Sequence, residues 1–208
     1  MIGSNVGALP PGRNVSRETE ARIADFVALL IKWNAAINLV SKTTIGDVWN
    51  RHIVDCLQVF DYGQKARHWA DLGSGGGLPG LVVAILALEA APEMVVTLVE
   101  ADQRKAAFLR QAGQMLGLKV RVISERIESL SPLGADVLSA RALAPLSQLC
   151  AFADRHLLPD GRAIFLKGKS AADEVADARK LWQFALETRP SITDPSSSVL
   201  LLKEITLA

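Results

Sequence analysis

The sequence predicts an α/β fold, a Rossmann-like doubly wound parallel sheet preceded by a helical extension. Three observations predict it. From about residue 64 onward short apolar runs alternate with helical stretches, the grammar of a parallel sheet covered on both faces. A glycine-rich turn, HWADLGSGGGLPG (68–80), joins the first such run to the first such helix. The chain has 208 residues, 50% of them hydrophobic, which is enough for a full core in one domain.

The elements follow in order. Residues 1–13 read as a flexible tail, and 14–63 as a helical layer. Ser16 is a candidate N-cap with Thr19 and Glu20 in the first turn, and Ile23, Phe26, Val27, Leu30, Ile31 and Trp33 recur at helical spacing. A second helical stretch over Ile45–Phe60 carries Val48, Trp49, Ile53, Leu57 and Val59. Residues 64–208 form the sheet core, within one domain overall. Strands are expected at Arg67–Leu72, Val95–Glu100, Lys119–Ser124, Asp136–Ala140 and Arg162–Lys167, with helices starting near Leu78, Gln103, Leu146 and Ala171. Pro190 and the DPSSS stretch before VLLLKEI predict a closing antiparallel pair joined by a turn.

Composition narrows the function classes. A net charge of +1 gives no bulk basic excess, so any nucleic-acid surface is a local patch. Cys56 and Cys150 lack metal or disulfide-scaffold spacing, which suits a reducing cytoplasm. The first dozen residues lack the cationic start and apolar core of a secretory signal, and the run from Gly80 is too short for a bilayer and is broken by Glu89. No membrane partner is expected.

The glycine loop fits two registers. Gly75, Gly77 and Gly80 satisfy GxGxxG, in which backbone amides at a helix start receive a pyrophosphate. Asp71, Gly73, Gly75 and Gly77 equally satisfy DxGxGxG, by which many methyltransferases hold S-adenosylmethionine. Asp71 favours the second, because a carboxylate attracts an ammonium and repels a pyrophosphate. Pro79 lacks an N–H and weakens an anion cradle. Glu100, ending the next strand, would accept from ribose hydroxyls in either register. Ile127 is expected to touch the adenine with Glu128 close by, although a solvated acidic helix start explains Glu128 equally.

The fourth strand ends LSARALAP, which has neither the Asn/Asp-Pro-Pro-aromatic motif of amino-group methyltransferases nor a nucleophilic cysteine. Arg141 stands there instead, with Lys167 and Lys169 at the end of the fifth strand. Such cations suit a phosphate-bearing substrate, though a lone Arg or Lys is often only solvated or paired. A guanine N7 acceptor fits the missing base, since its lone pair attacks directly and catalysis reduces to positioning and electrostatics. Arg141 and Lys167 are the catalytic candidates.

The motifs WNAAINLVS, RHIVDC, WADLGSGGGLPG, LVEADQRKAAFLR, SERIESL, SARAL and LKG, in that order, resemble the RsmG (GidB) family of small-subunit ribosomal RNA methyltransferases. The resemblance covers most of the chain beyond the tail. It implies a class I S-adenosylmethionine-dependent methyltransferase fold and methyl transfer to N7 of one guanine in small-subunit ribosomal RNA or the assembled subunit. It also implies that Gly73 and Leu78 line the cofactor, that Glu100 takes the ribose, and that Ile127 and Glu128 border the adenine. Arg141 would lie near cofactor and substrate, with Arg51, His52 and Lys167 on the RNA side. Departures are Gly76 where proline is common, Cys56 where serine is usual and Ala140 where serine often precedes the arginine, and none is expected to touch an assigned role. Trp33, although it matches the family, reads as a core residue rather than a base-stacking platform.

The expectation is therefore a cytoplasmic, monomeric methyltransferase acting on ribosomal RNA. Three competitors stay open at this point: a methyltransferase for a small metabolite, a nicotinamide-dependent oxidoreductase using GxGxxG, and a noncatalytic ribosome-binding module.

Overall fold

Seven strands form one sheet in the order β3-β2-β1-β4-β5-β7-β6. The computed structural model describes residues 7, 9, 10 and 13–208, so most of the expected tail lies outside the described residues. Strands β1 (His68–Leu72), β2 (Val95–Val99), β3 (Val120–Ile123), β4 (Ala135–Arg141) and β5 (Leu157–Lys167) are parallel. The closing pair, β6 (Trp182–Pro190) and β7 (Ser198–Leu207), is antiparallel, as the turn residues predicted. The strand order reverses between β1 and β4, so a crevice opens at the carboxyl ends of these two strands.

The helices are α1 (Arg17–Asn34), α2 (Asp55–Asp61), α3 (Gly80–Ala90), α4 (Gln103–Met115), α5 (Leu146–His156) and α6 (Ala171–Ala178). The Ser16 hydroxyl accepts from the Thr19 amide, which caps α1 as its sequence predicted. Helix α1 packs on α3 and α4, with Trp33 set against Phe108 at a ring-centroid distance of 5.7 Å. Glu89, the charge that interrupts the apolar run of α3, accepts from the Ser16 amide at 3.0 Å and the Thr19 hydroxyl at 2.7 Å. It ties the extension to the core.

Helix α3, GLVVAILALEA, is apolar on every side because α1 and α2 cover the face turned away from the sheet. The extension is thus part of the main hydrophobic core, with Ile23, Phe26 and Leu30 fully buried beside Leu81 and Ile85.

Three boundaries differ from expectation. The stretch 45–60 is not one helix but a 3₁₀ turn (Ile45–Asp47), a π-helical segment (Trp49–Val54) and α2. Helix α3 starts at Gly80 instead of Leu78, with Pro79 at its N-cap after a cis Leu78–Pro79 bond. Strand β5 begins at Leu157 instead of Arg162, because its first residues pair with Ala135 across a register shift.

Candidate functional site

Beneath the glycine loop lies a polar brace. Asp71 and Ser139 are opposite each other in the β1–β4 register, and the Ser139 hydroxyl donates to Asp71 Oδ1 at 2.6 Å. The Gly80 amide donates to Asp71 Oδ2 at 3.2 Å, and the buried Trp69 indole N–H donates to Ser139 at 2.9 Å. Gly80 is required by this closeness: a Cβ there would stand 2.4 Å from Leu98 and 2.7 Å from Asp71 Oδ2. Burial raises the Asp71 carboxyl to about 6, against the pull of the Ser139, Ser74 and Gly80 donors. The expectation that Asp71 faces a ligand ammonium is therefore not met in this geometry. Its carboxylate is spent holding the loop on the sheet.

Above the loop, at the topological switch point, is a cavity of about 950 Å³. Gly73, Ser74, Gly75, Gly76 and Leu78 form one wall, and Arg141 to Pro145 continue it from the end of β4. The extension supplies Leu39 to Ser41, Thr44, Arg51, His52 and Asp55, while Ser191, Thr193, Asp194, Ser197 and Ser198 close it from the β6–β7 turn. At Gly75 an added Cβ would meet only the Gly73 carbonyl oxygen at 3.7 Å, so the bare backbone faces open space. Gly77 does not line the cavity; at φ +79 it makes the turn and packs on Leu81.

The nucleoside side has free bonding capacity. Glu100, 9% exposed, accepts from the Gly75 amide and the Asp102 amide, both at 2.8 Å, which leaves each oxygen a further lone pair. Ser124, just past β3, has a buried hydroxyl with no hydrogen-bond partner. Neither Glu100 nor Ser124 lines the cavity itself; the open backbone at Gly75 is the part of the wall that fits a ribose-bearing cofactor, with Glu100 bonded to the Gly75 amide behind it. Ile127 and Glu128 do not line the cavity: the 3₁₀ turn Ile127–Ser129 buries Ile127 in the second core cluster, where His156 donates to its carbonyl at 3.3 Å, and leaves Glu128 in solvent.

Arg141 is held by the extension. Its guanidinium donates to the Arg51 carbonyl at 3.3 Å, to the Cys56 sulfur at 3.7 Å and to His52 Nδ1. No carboxylate among the described residues pairs with it. His52 Nε2 bonds the Thr44 hydroxyl at 2.9 Å, and burial, then the Arg141 and Arg51 charges, push its pKa down to about 4. The imidazole is neutral at physiological pH, so it accepts from Arg141 without repelling it. The π-helical segment turns Arg51 and His52 into the cavity wall, and Asp55, the first residue of α2, follows them there.

Cys56 corrects one expectation, because this departure does touch an assigned residue. Its thiol, pushed up to about 12 chiefly by burial, packs against Arg141 as a neutral acceptor. Gly76, another departure, lines the cavity under Leu39 of the extension.

The two lysines separate. Lys167 lines the cavity, its ammonium donating to the Ala144 carbonyl and to Glu174, each at 2.6 Å, which binds the β4 rim to α6. Lys169 is exposed and lies outside the cavity wall. Lys105, near the start of α4, also faces the cavity and was not foreseen, because its spacing on α4 carries no signal of what lies across from it.

A family model described as rRNA small subunit methyltransferase G matches residues 19–198. The chain belongs to this family. A curated relative of that name from Ruegeria pomeroyi is 51% identical over 193 residues, covering 93% of this chain and 95% of the relative. One from Cereibacter sphaeroides is 52% identical over 193 residues, covering 91% and 92%. Among solved structures, a mutant of MtNAS in complex with S-adenosylmethionine superposes with a TM-score of 0.56 at 20% identity, covering 91% of this chain and 80% of that one. The fibrillarin/Nop5p complex gives 0.51 at 10% identity, covering 65% and 71%. The fold is that of the class I methyltransferases, with a helical extension at the N-terminus.

Proposed function

We propose that this chain transfers the methyl group of S-adenosylmethionine to N7 of a specific guanine in small-subunit ribosomal RNA. The observation that carries this reading is Arg141: a cation at the switch point, fixed by neutral partners and left without a carboxylate. Its charge is available to an electron-rich acceptor. When bound, the cofactor supplies an electrophilic methyl group on a sulfonium. N7 presents a lone pair and no proton, so the residues need only orient the purine and balance its charge.

Gly73, Gly75 and Leu78 are the cofactor-side wall in this reading, and Glu100, bonded to the Gly75 amide just behind that wall, is the acceptor for the ribose. Arg51 and Lys105 receive phosphates at the mouth, with exposed Lys169 farther out, while Lys167 is already engaged by Glu174 and the Ala144 carbonyl and holds the rim in place. The partner is the ribosomal RNA or the assembled small subunit, met by a monomer in the cytoplasm. No helix among the described residues is long and apolar enough to cross a membrane. A small-metabolite acceptor is not favoured, because the relatives are named for ribosomal RNA.

Tryptophan fluorescence tests the cofactor, since Trp69 reaches the glycine loop through Ser139 and Asp71. S-adenosylmethionine should titrate and NADH should not; tight NADH binding with no adenosylmethionine response overturns the reading. Arg141→Ala should keep cofactor affinity within about threefold and lose about 100-fold or more of methyl transfer. Unimpaired transfer by that variant removes Arg141 from the mechanism.

A further inference from the structure

Three carboxylates line the cavity, and two are fully engaged. Glu174 Oε1 accepts from the Ser170 hydroxyl, and Oε2 from Lys167 and the Leu146 amide. Asp194 Oδ1 accepts from the Ser196 amide and hydroxyl, while Oδ2 takes the Ser197 hydroxyl and lies 4.0 Å from Arg51. Asp55 differs. It is 9% exposed, and three donors converge on Oδ1: Gln58 Nε2 at 2.9 Å, the Ser191 hydroxyl at 2.7 Å and the Thr193 hydroxyl at 3.3 Å. No donor or cation among the described residues reaches Oδ2.

Oδ2 is not sealed off from solvent, and three donors on the other oxygen fix the rotation of the carboxylate in the cavity wall. The arrangement keeps one strong acceptor in a wall otherwise rich in donors. We propose that Asp55 determines guanine specificity, its Oδ2 accepting a hydrogen bond from the exocyclic 2-amino group of the acceptor base. This rests on the guanine N7 reading given above. Guanine is the standard purine with an amino group at that position, on the side of the ring system away from N7. A carboxylate there rejects adenine and phosphate alike. It also stabilises the positive charge that spreads over the purine as N7 takes the methyl group.

The placement of Asp55 favours the base over the cofactor. It lies on the helical extension and is tied to the β6–β7 turn through Ser191, whereas Glu100 and the glycine loop belong to the sheet core.

The test compares small subunits reconstituted with guanosine or inosine at the methylated position. Inosine keeps N7, O6 and N1–H and lacks only the 2-amino group. Wild-type protein should lose roughly 10- to 100-fold in kcat/KM on inosine, the effect of one hydrogen bond to a charged group. Asp55→Asn should lose a similar factor on guanosine, show no preference for guanosine over inosine, and bind S-adenosylmethionine as wild type does by calorimetry. Ser191→Ala, which removes one tie to Oδ1 and leaves Oδ2 in place, should keep the preference. Equal wild-type turnover on both bases overturns the proposal without any variant having to fold. So does Asp55→Asn with the preference intact, or with cofactor binding lost. Wild-type protein that methylates neither substrate contradicts the function itself, a distinct result.

Discussion

Replacing His52 by glutamine isolates one buried titration in the site. The imidazole is 7% exposed, and its pKa is pushed from 6.5 to about 4 by burial first, then by Arg141 and Arg51, against a pull from Asp47. Below pH 6.5 the unfolded chain takes up a proton at His52 that the folded chain refuses until about pH 4. The unfolded state therefore holds more protons in that window, and stability falls as pH falls through it. At about 1.4 kcal/mol for each pH unit the full effect is roughly 3 kcal/mol, which water in the open cavity reduces to roughly 2. Asp71 acts the other way, since its folded pKa of about 6 exceeds the unfolded 3.8 and favours the folded state as pH drops between them. Asp71 is common to both proteins and cancels in their difference. Urea unfolding of wild type and His52→Gln, followed from about pH 7 to about pH 4.5, should show wild type losing roughly 2 kcal/mol more than the variant. Parallel stability curves would refute a neutral, buried His52, and with it the account of how Arg141 is held.

Gly80→Ala should cost about 1–3 kcal/mol and lower Tm by several degrees in calorimetry, because its Cβ overlaps Leu98 and Asp71; an unchanged Tm would mean the loop has slack. Neither Cys56 nor Cys150 should react with a disulfide reagent near pH 8 before unfolding, since burial pushes both thiols up to about 12. Lys105→Ala should weaken RNA-substrate binding and reduce the slope of its salt dependence by about one charge, leaving cofactor affinity unchanged in fluorescence titration.

Much of the sheet core was legible because its signals are local. The apolar runs that became β1 to β4 fall within two residues of expectation, and Ser16 caps α1 through a bond three residues away. The glycine loop announced itself by composition, and Arg141 by its place after a buried strand. What the sequence did not reveal is pairing across distance. Arg141 meets His52 and Cys56 across 89 and 85 positions, and Asp55 meets Ser191 across 136. No periodicity encodes such contacts. The π-helical turn at Trp49–Val54 was hidden as well, since its residues have ordinary helical spacing and only the packed core selects the wider turn. Asp71 misled for the opposite reason: its position beside the loop was read correctly, but Ser139 opposite it in the register takes its carboxylate inward.

The most direct test of the account is transfer of labelled methyl from S-adenosylmethionine to small ribosomal subunits isolated from cells lacking this protein, followed by borohydride and aniline cleavage at 7-methylguanine. Label should enter the RNA, with cleavage at a single guanine. Label in protein or small molecules alone, or no transfer although the cofactor binds, would contradict it.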